Sequence, residues 1–268
     1  MSDASTWVTP EVDTDRPSIA RLYDYLLGGT HNLEPDRELG KQAIRAAPGL
    51  IMLIRESRKF LRRSVRYALD QGVDQFLDLG SGIPTRGSVH ETVAAINPDA
   101  RIVYVDRDPV AVAHGNELLA SNPNAASVQA NLLDADEVLA TDTVKSLLDF
   151  DRPVAVLVLC VLQFFSDSEV LPALEKYRER LAPGSLLIIS TATNEGDDGS
   201  SDMVGNLYAK EFGDFALRSH EQMRALFGDF EMVEPGVVFP TQWHPDKPSD
   251  VGAHPERYTY LVGAARKR

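Results

Sequence analysis

The chain has 268 residues, enough to bury one sizeable core or a core with a small appended segment. Its 40 acidic residues outnumber 27 Lys and Arg, a net charge of −13 that disfavours nucleic acid or anionic membranes as partners and favours small molecules or proteins. Cys160 is the single cysteine, so an intramolecular disulfide and zinc-type cysteine spacing are excluded; with no basic-then-apolar leader and no membrane-length apolar run, a cytoplasmic protein is expected.

Residues 1–16 are polar and without period, and a disordered arm is expected there. Ile19, Leu22, Tyr23 and Leu26 then recur at helical spacing until Gly28-Gly29 stops the pattern. A second helix is expected over Asp36 to Ala46, broken by Pro48-Gly49, and a third over Leu50 to Asp70. The third carries an apolar side, Leu50, Leu53, Ile54, Leu61 and Val65, and a basic side, Arg55, Arg58, Lys59, Arg62, Arg63 and Arg66. Solvated arginines balancing the acid excess are the expectation for that basic side. Residues 17–72 thus read as an N-terminal helical cap, and 73–268 as the main domain.

From Gln75 onward short apolar runs alternate with helical segments, the pattern of βαβ units in a parallel sheet. Strands are expected at Gln75–Leu79, Arg101–Asp106, Ser127–Ala130, Val154–Val161 and Ser185–Thr191, and later at Glu231–Val238 and Tyr258–Ala264, the last two antiparallel at the sheet edge. Helices are expected from Thr85 to Ile96, from Pro109 with Asp108 as N-cap, from Glu169 to Arg180 and from Ser219 to Phe227. The polar, glycine-rich start and weak helical signals near 194–218 read as an insertion.

The chemistry concentrates at strand ends. Asp78-Leu79-Gly80-Ser81-Gly82 ends the first strand in a turn where two glycines let backbone approach a ligand. A dinucleotide fold would have a third glycine at Thr85, and Asp78 would repel a pyrophosphate; a carboxylate there suits the α-ammonium group of S-adenosylmethionine. Asp106 ends the second strand, where an acid can accept both hydroxyls of a ribose. Asn131 and Asp134 follow the third, where an oxygen can accept from an adenine amino group or simply cap the next helix.

On these residues the chain resembles a class I, Rossmann-like S-adenosylmethionine-dependent methyltransferase. Within that group it is similar to an actinobacterial family known as an uncharacterised "S-adenosyl methyltransferase" domain. The matching segments are Ala20 to Gly29, Asn32, Asp36-Arg37, Asp78 to Thr85 with His90, Tyr104-Val105-Asp106, Val233 to Gly236 and Trp243. The resemblance implies an α/β fold with a mostly parallel seven-stranded sheet, helices on both faces and S-adenosyl-L-methionine as cofactor. Expected cofactor-binding residues are Asp78, Gly80, Ser81, Gly82, Asp106, Arg107, Asn131, Leu132 and Cys160, with Tyr23, His31 and Asn32 from the cap. Two departures stand out: Asn131 replaces the family's usual aspartate, and Gln163 replaces a histidine, so no acid/base role is available at that position.

Trp243 and His244 read equally as acceptor-pocket lining or as a loop plug. No Asn-Pro-Pro-Tyr type motif follows the fourth strand, and Phe164-Phe165 there suggest an apolar wall. The expectation is a methyltransferase acting on a small molecule, without a named catalytic residue or metal. A non-catalytic sensor or interaction module is the alternative, kept open by Gln163; a NAD-dependent oxidoreductase is a weaker third reading. Acceptor and oligomeric state are not legible.

Overall fold

Ser18 caps the first helix, its hydroxyl accepting from the Arg21 amide, in the computed structural model, which describes residues 12–84, 87–196 and 198–268. The chain then runs α1 (Ile19–Leu26), α2 (Glu34–Ala46), α3 (Leu50–Asp70), β1 (Gln75–Leu79), α4 (Val89–Ala94), β2 (Arg101–Asp106), α5 (Pro109–Leu119), β3 (Ala125–Gln129), α6 (Ala135–Ala140), α7 (Asp142–Leu147), β4 (Ala155–Leu159), α8 (Asp167–Arg180), β5 (Leu186–Ala192), α9 (Ser200–Phe212), α10 (His220–Ala225), β6 (Glu231–Met232) and β7 (Tyr260–Arg266). The seven strands form one sheet ordered β3-β2-β1-β4-β5-β7-β6. All neighbours are parallel except β7, which runs antiparallel to β5 and β6.

Alternation along the strands sends side chains to opposite faces, and both faces are covered. Phe76, Ile102, Leu157 and Ile188 pack with Phe60 and Val65 of α3 and Val89 of α4. Leu77, Val103, Val156 and Ile189 pack on the other face with Val138, Val144, Val170 and Leu174. The order reverses at β1, which sits between β2 and β4, and a crevice opens there at the strands' carboxyl ends.

Several boundaries differ from expectation for local reasons. The second helix starts at Glu34 rather than Asp36, because Pro35 suits a first turn and Asp36 accepts from the Leu33 amide at 2.7 Å. The helix after the glycine turn starts only at Val89, after Gly87 with φ +81°; Thr85, the position that counted against a dinucleotide, lies outside the described residues. The sixth strand ends at Met232 instead of Val238, since Pro235 lacks an N–H and Gly236 turns the chain at φ +86°; Val238 then rejoins β7 through one bridge to Val262. The insertion near 194–218 holds a 13-residue helix, α9, whose Val204 and Tyr208 are buried.

Of the expected arm, residues 1–11 lie outside the described residues; Val12 is buried with Ala20, Ile83 and Val110, and residues 13–16 are exposed. Arg21 donates to the carbonyls of Asp13 at 3.0 Å and Arg16 at 2.6 Å while paired to buried Asp36 at 2.8 Å. The basic side of α3 is not uniformly solvated. Arg55, Lys59, Arg62 and Arg66 are exposed, but Arg63 is buried, paired to Glu56 and donating to the carbonyls of Trp243 at 3.0 Å and Pro240 at 2.6 Å. Trp243 is a plug, fully buried against Phe60 and Tyr67, and not a wall of the crevice. No helix among the described residues is long and apolar enough to cross a membrane.

Candidate functional site

The crevice at the reversal of strand order holds a chamber of about 380 Å³, within the usual range for small-molecule sites. Its floor is the set of strand ends: Asp78, Gly80, Ser81 and Gly82 at the end of β1, Asp106 to Asp108 at the end of β2, Ala130 to Leu132 after β3, and Leu159 to Val161 at the end of β4. Its roof is the cap, with Pro17 and Ser18 just before the first helix, Ile19, Ala20 and Tyr23 from that helix, and Ser57, Arg58 and Leu61 from the third. Phe165 and Phe212 close one side.

The turn after β1 is shaped by its glycines. Gly80 and Gly82 have φ of +69° and +64°, and the amides of Gly80 and Ser81 both donate to the Val105 carbonyl, at 2.8 and 3.1 Å. A Cβ on Gly80 would lie 2.7 Å from Val161 Cγ2. Gly80→Ala is therefore expected to lower stability by roughly 1–2 kcal/mol, through left-handed strain and this clash, and to weaken ligand binding; urea unfolding of the variant checks the first effect.

Asp106 organises the turn. Its Oδ2 accepts from the Gly82 amide at 2.7 Å and its Oδ1 from the Asp108 amide at 2.9 Å, leaving a further acceptor site on each oxygen. Burial raises its carboxyl, and the two amides oppose that shift. Asp108 caps α5 through the Val110 amide at 2.8 Å and accepts the Ser18 hydroxyl, which ties the cap to the sheet. Asp78 differs: its buried carboxyl has no hydrogen-bond donor among the described residues. Burial pushes it up to about 7, Arg58 pulls it down and the negative Asp106 adds to the rise. A cation placed beside it would favour its charged form.

Asn131 lines the chamber while its Oδ1 accepts from the Leu133 amide at 3.1 Å, so it shapes the turn and can take a second donor. Cys160 sits in a left-handed conformation, φ 57°, with its amide donating to Ser190 Oγ at 2.9 Å. Burial raises both the Cys160 thiol and the Tyr23 hydroxyl, so each stays protonated at neutral pH. The Arg58 guanidinium stands 5.3 Å from the centroid of the Tyr23 ring, and that of Arg107 stands 5.9 Å from Phe165's.

Ten of the twelve expected residues thus share one chamber, but His31 and Asn32 do not line it. Asn32 is buried and donates to Asp24 Oδ2 at 2.9 Å and the Gly29 carbonyl at 3.0 Å, and the His31 amide donates to the same Asp24 oxygen at 2.9 Å. Both bind one oxygen of the buried Asp24 carboxylate and fasten the loop between α1 and α2. Gln163 is buried behind the chamber, donating to the Cys160 carbonyl at 2.8 Å and to the Tyr260 hydroxyl at 3.2 Å. His90, also outside, contacts the Tyr104 hydroxyl at 2.9 Å. Ser57, Arg58 and Phe212 are lining residues that the sequence reading left out; the only signal for the first two was a serine beside arginine one turn before Leu61.

A family model described as S-adenosyl methyltransferase matches residues 5–268. A candidate methyltransferase from Thermobifida fusca is 39% identical, covering 98% of this chain and 99% of that one with a TM-score of 0.93. A DUF574 family protein from Streptomyces avermitilis is 34% identical, covering 96% and 99% with a TM-score of 0.90. Among curated proteins, the carboxy-S-adenosyl-L-methionine synthase of Geobacter metallireducens is 34% identical over 104 residues, a match spanning 38% of this chain and 38% of that protein.

Proposed function

The chain belongs to the S-adenosyl methyltransferase family, whose cofactor is S-adenosylmethionine, and from that membership we propose that its chamber holds this cofactor and presents the methyl group to a small-molecule acceptor. In this reading Asp78 accepts from the α-ammonium group, Asp106 accepts both ribose hydroxyls, and Asn131 with Leu132 meets the adenine. The observation that carries it is the buried Asp78 carboxyl, which lacks a donor among the described residues and faces a chamber whose next strand end supplies Asp106. An ammonium group satisfies the first, and a ribose fits the spare acceptor sites of the second.

When bound, the sulfonium supplies an electrophilic methyl carbon. The chain's own task is then position: Tyr23 and Ser57 from the cap and Cys160 and Phe165 from the sheet side bound the space in which an acceptor must align. Because Tyr23 and Cys160 hold their protons at neutral pH, these groups orient an acceptor and do not deprotonate it. An acceptor that is already nucleophilic suits such a site.

Methyl-labelled S-adenosylmethionine, incubated with the protein and a small-molecule extract of cells, is expected to pass its label to an extract component, with S-adenosylhomocysteine as co-product. Saturable cofactor binding without label transfer in any fraction would instead favour a sensor and overturn the enzymatic reading.

A further inference from the structure

The chamber is lined by three acids, Asp78, Asp106 and Asp108, and by two bases, Arg58 and Arg107. The two bases stand in different places. Arg107 follows Asp106 at the end of β2, is exposed, and has its guanidinium 5.9 Å from the centroid of the Phe165 ring. Arg58 comes from the stretch of α3 that lines the chamber with Ser57 and Leu61, and its guanidinium lies 5.3 Å from the centroid of the Tyr23 ring.

Neighbours on three elements fix where the Arg58 guanidinium sits. Burial raises the Asp78 carboxyl of β1, the Tyr23 hydroxyl of α1 and the Cys160 thiol after β4, and at each of them Arg58 pulls the other way. Arg58 therefore stands between the cap and the ends of β1 and β4. Burial also raises the Asp106 carboxyl, and there the opposing base is Arg107. Each base thus has its own acid, Arg58 beside Asp78 and Arg107 beside Asp106.

S-adenosylmethionine brings two opposite charges to the Asp78 side. Its α-carboxylate is attached to the same carbon as the ammonium group, and on leaving water it needs a partner of its own. The three acids repel it, and the base beside Asp78 is Arg58. A guanidinium has five N–H donors in a planar fork, so Arg58 can take a carboxylate and keep its other contacts.

We propose that Arg58 binds the α-carboxylate of S-adenosylmethionine, so that the amino-acid end is held as a zwitterion, its ammonium group by the sheet at Asp78 and its carboxylate by the cap at Arg58. This assignment rests on the cofactor of the proposed function. The pair selects an α-amino acid, since an amine alone meets only half of it.

Titration calorimetry with S-adenosylmethionine and with its decarboxylated form, S-adenosyl-3-methylthiopropylamine, tests the assignment; the second ligand keeps the adenosine, sulfonium and ammonium groups and lacks the carboxylate. The wild type is expected to bind the decarboxylated form roughly 10- to 100-fold more weakly, the size of a lost charged hydrogen bond. Arg58→Gln is expected to lose a similar factor for S-adenosylmethionine and to bind the two ligands within about threefold of each other. Arg58→Lys, which keeps the charge without the fork, should recover part of the preference. Arg107→Gln should keep the wild-type ratio between the two ligands. Equal affinities in the wild type, which needs no variant to fold, would overturn the inference and leave the cofactor in place. So would a ratio kept in Arg58→Gln, or one lost in Arg107→Gln instead. If neither ligand binds the wild type, the cofactor reading and this inference fall together.

Discussion

Asp78→Asn is expected to make the cofactor-free protein more stable near pH 8 and, in the same step, to weaken S-adenosylmethionine binding by roughly 10- to 100-fold, the size of a lost charged hydrogen bond. The opposite signs have one cause. The carboxyl titrates at about 7 in the folded chain, against about 3.9 in an unfolded one. Its contribution to stability is therefore fully present below pH 4, declines as pH rises from about 4 to 7, and stays lost above 7. That decline has an upper bound of about 4 kcal/mol, of which an amide without a donor recovers roughly 1–3 kcal/mol at pH 8. Thermal unfolding between pH 5 and 8 measures it: wild type and variant should diverge as pH rises.

Binding has the reverse dependence. An ammonium group beside Asp78 favours its charged form and lowers its pKa, so wild-type affinity should climb with pH up to about 7, by at most tenfold per unit, and then level off. The Asn variant should lack this slope.

Asp106→Ala is expected to cost about 1.5–3 kcal/mol of cofactor affinity, and to loosen the turn as well. Its two oxygens hold the amides of Gly82 and Asp108, and removing them frees both the glycine turn and the start of α5. The two acids can be told apart with 5′-methylthioadenosine, which has the ribose but no amino-acid moiety. Calorimetry should find its binding weakened by Asp106→Ala and nearly untouched by Asp78→Asn. Equal losses in both variants would mean that the effects spread through the turn and not through separate contacts.

The sheet and the chamber floor were legible because each rests on short-range signals: an apolar strand, then glycine, acid or amide at its end. Asp78, Gly80, Asp106 and Asn131 all follow that rule, and the sheet order brings them together. The roof was not legible in the same way. The third helix packs on the sheet with one side and on the chamber with another, so its polar side divides into solvated Arg55, chamber-lining Arg58 and buried Arg63. What buries Arg63 is carbonyls 180 and 177 residues away in sequence, at Trp243 and Pro240, which no local pattern reveals. The same holds for Trp243, a plug whose site exists only once that helix and its Phe60 are in place. His31 and Asn32 read as loop groups able to bind a ligand but do not line the chamber: Asp24 holds the Asn32 side chain, and the His31 ring lies against that of His114, centroids 4.0 Å apart. Phe212 was hidden by the polar start of the insertion; its helix forms because Val204 and Tyr208 can be buried against the cap and sheet.

The proposed chamber recognises a nucleoside joined to a cationic amino-acid group and does not recognise a dinucleotide. Titration calorimetry with S-adenosylmethionine and, separately, with NAD tests it most directly. S-adenosylmethionine is expected to bind saturably at one site per chain, with no measurable binding of NAD; tight NAD binding in the absence of S-adenosylmethionine binding would contradict the account.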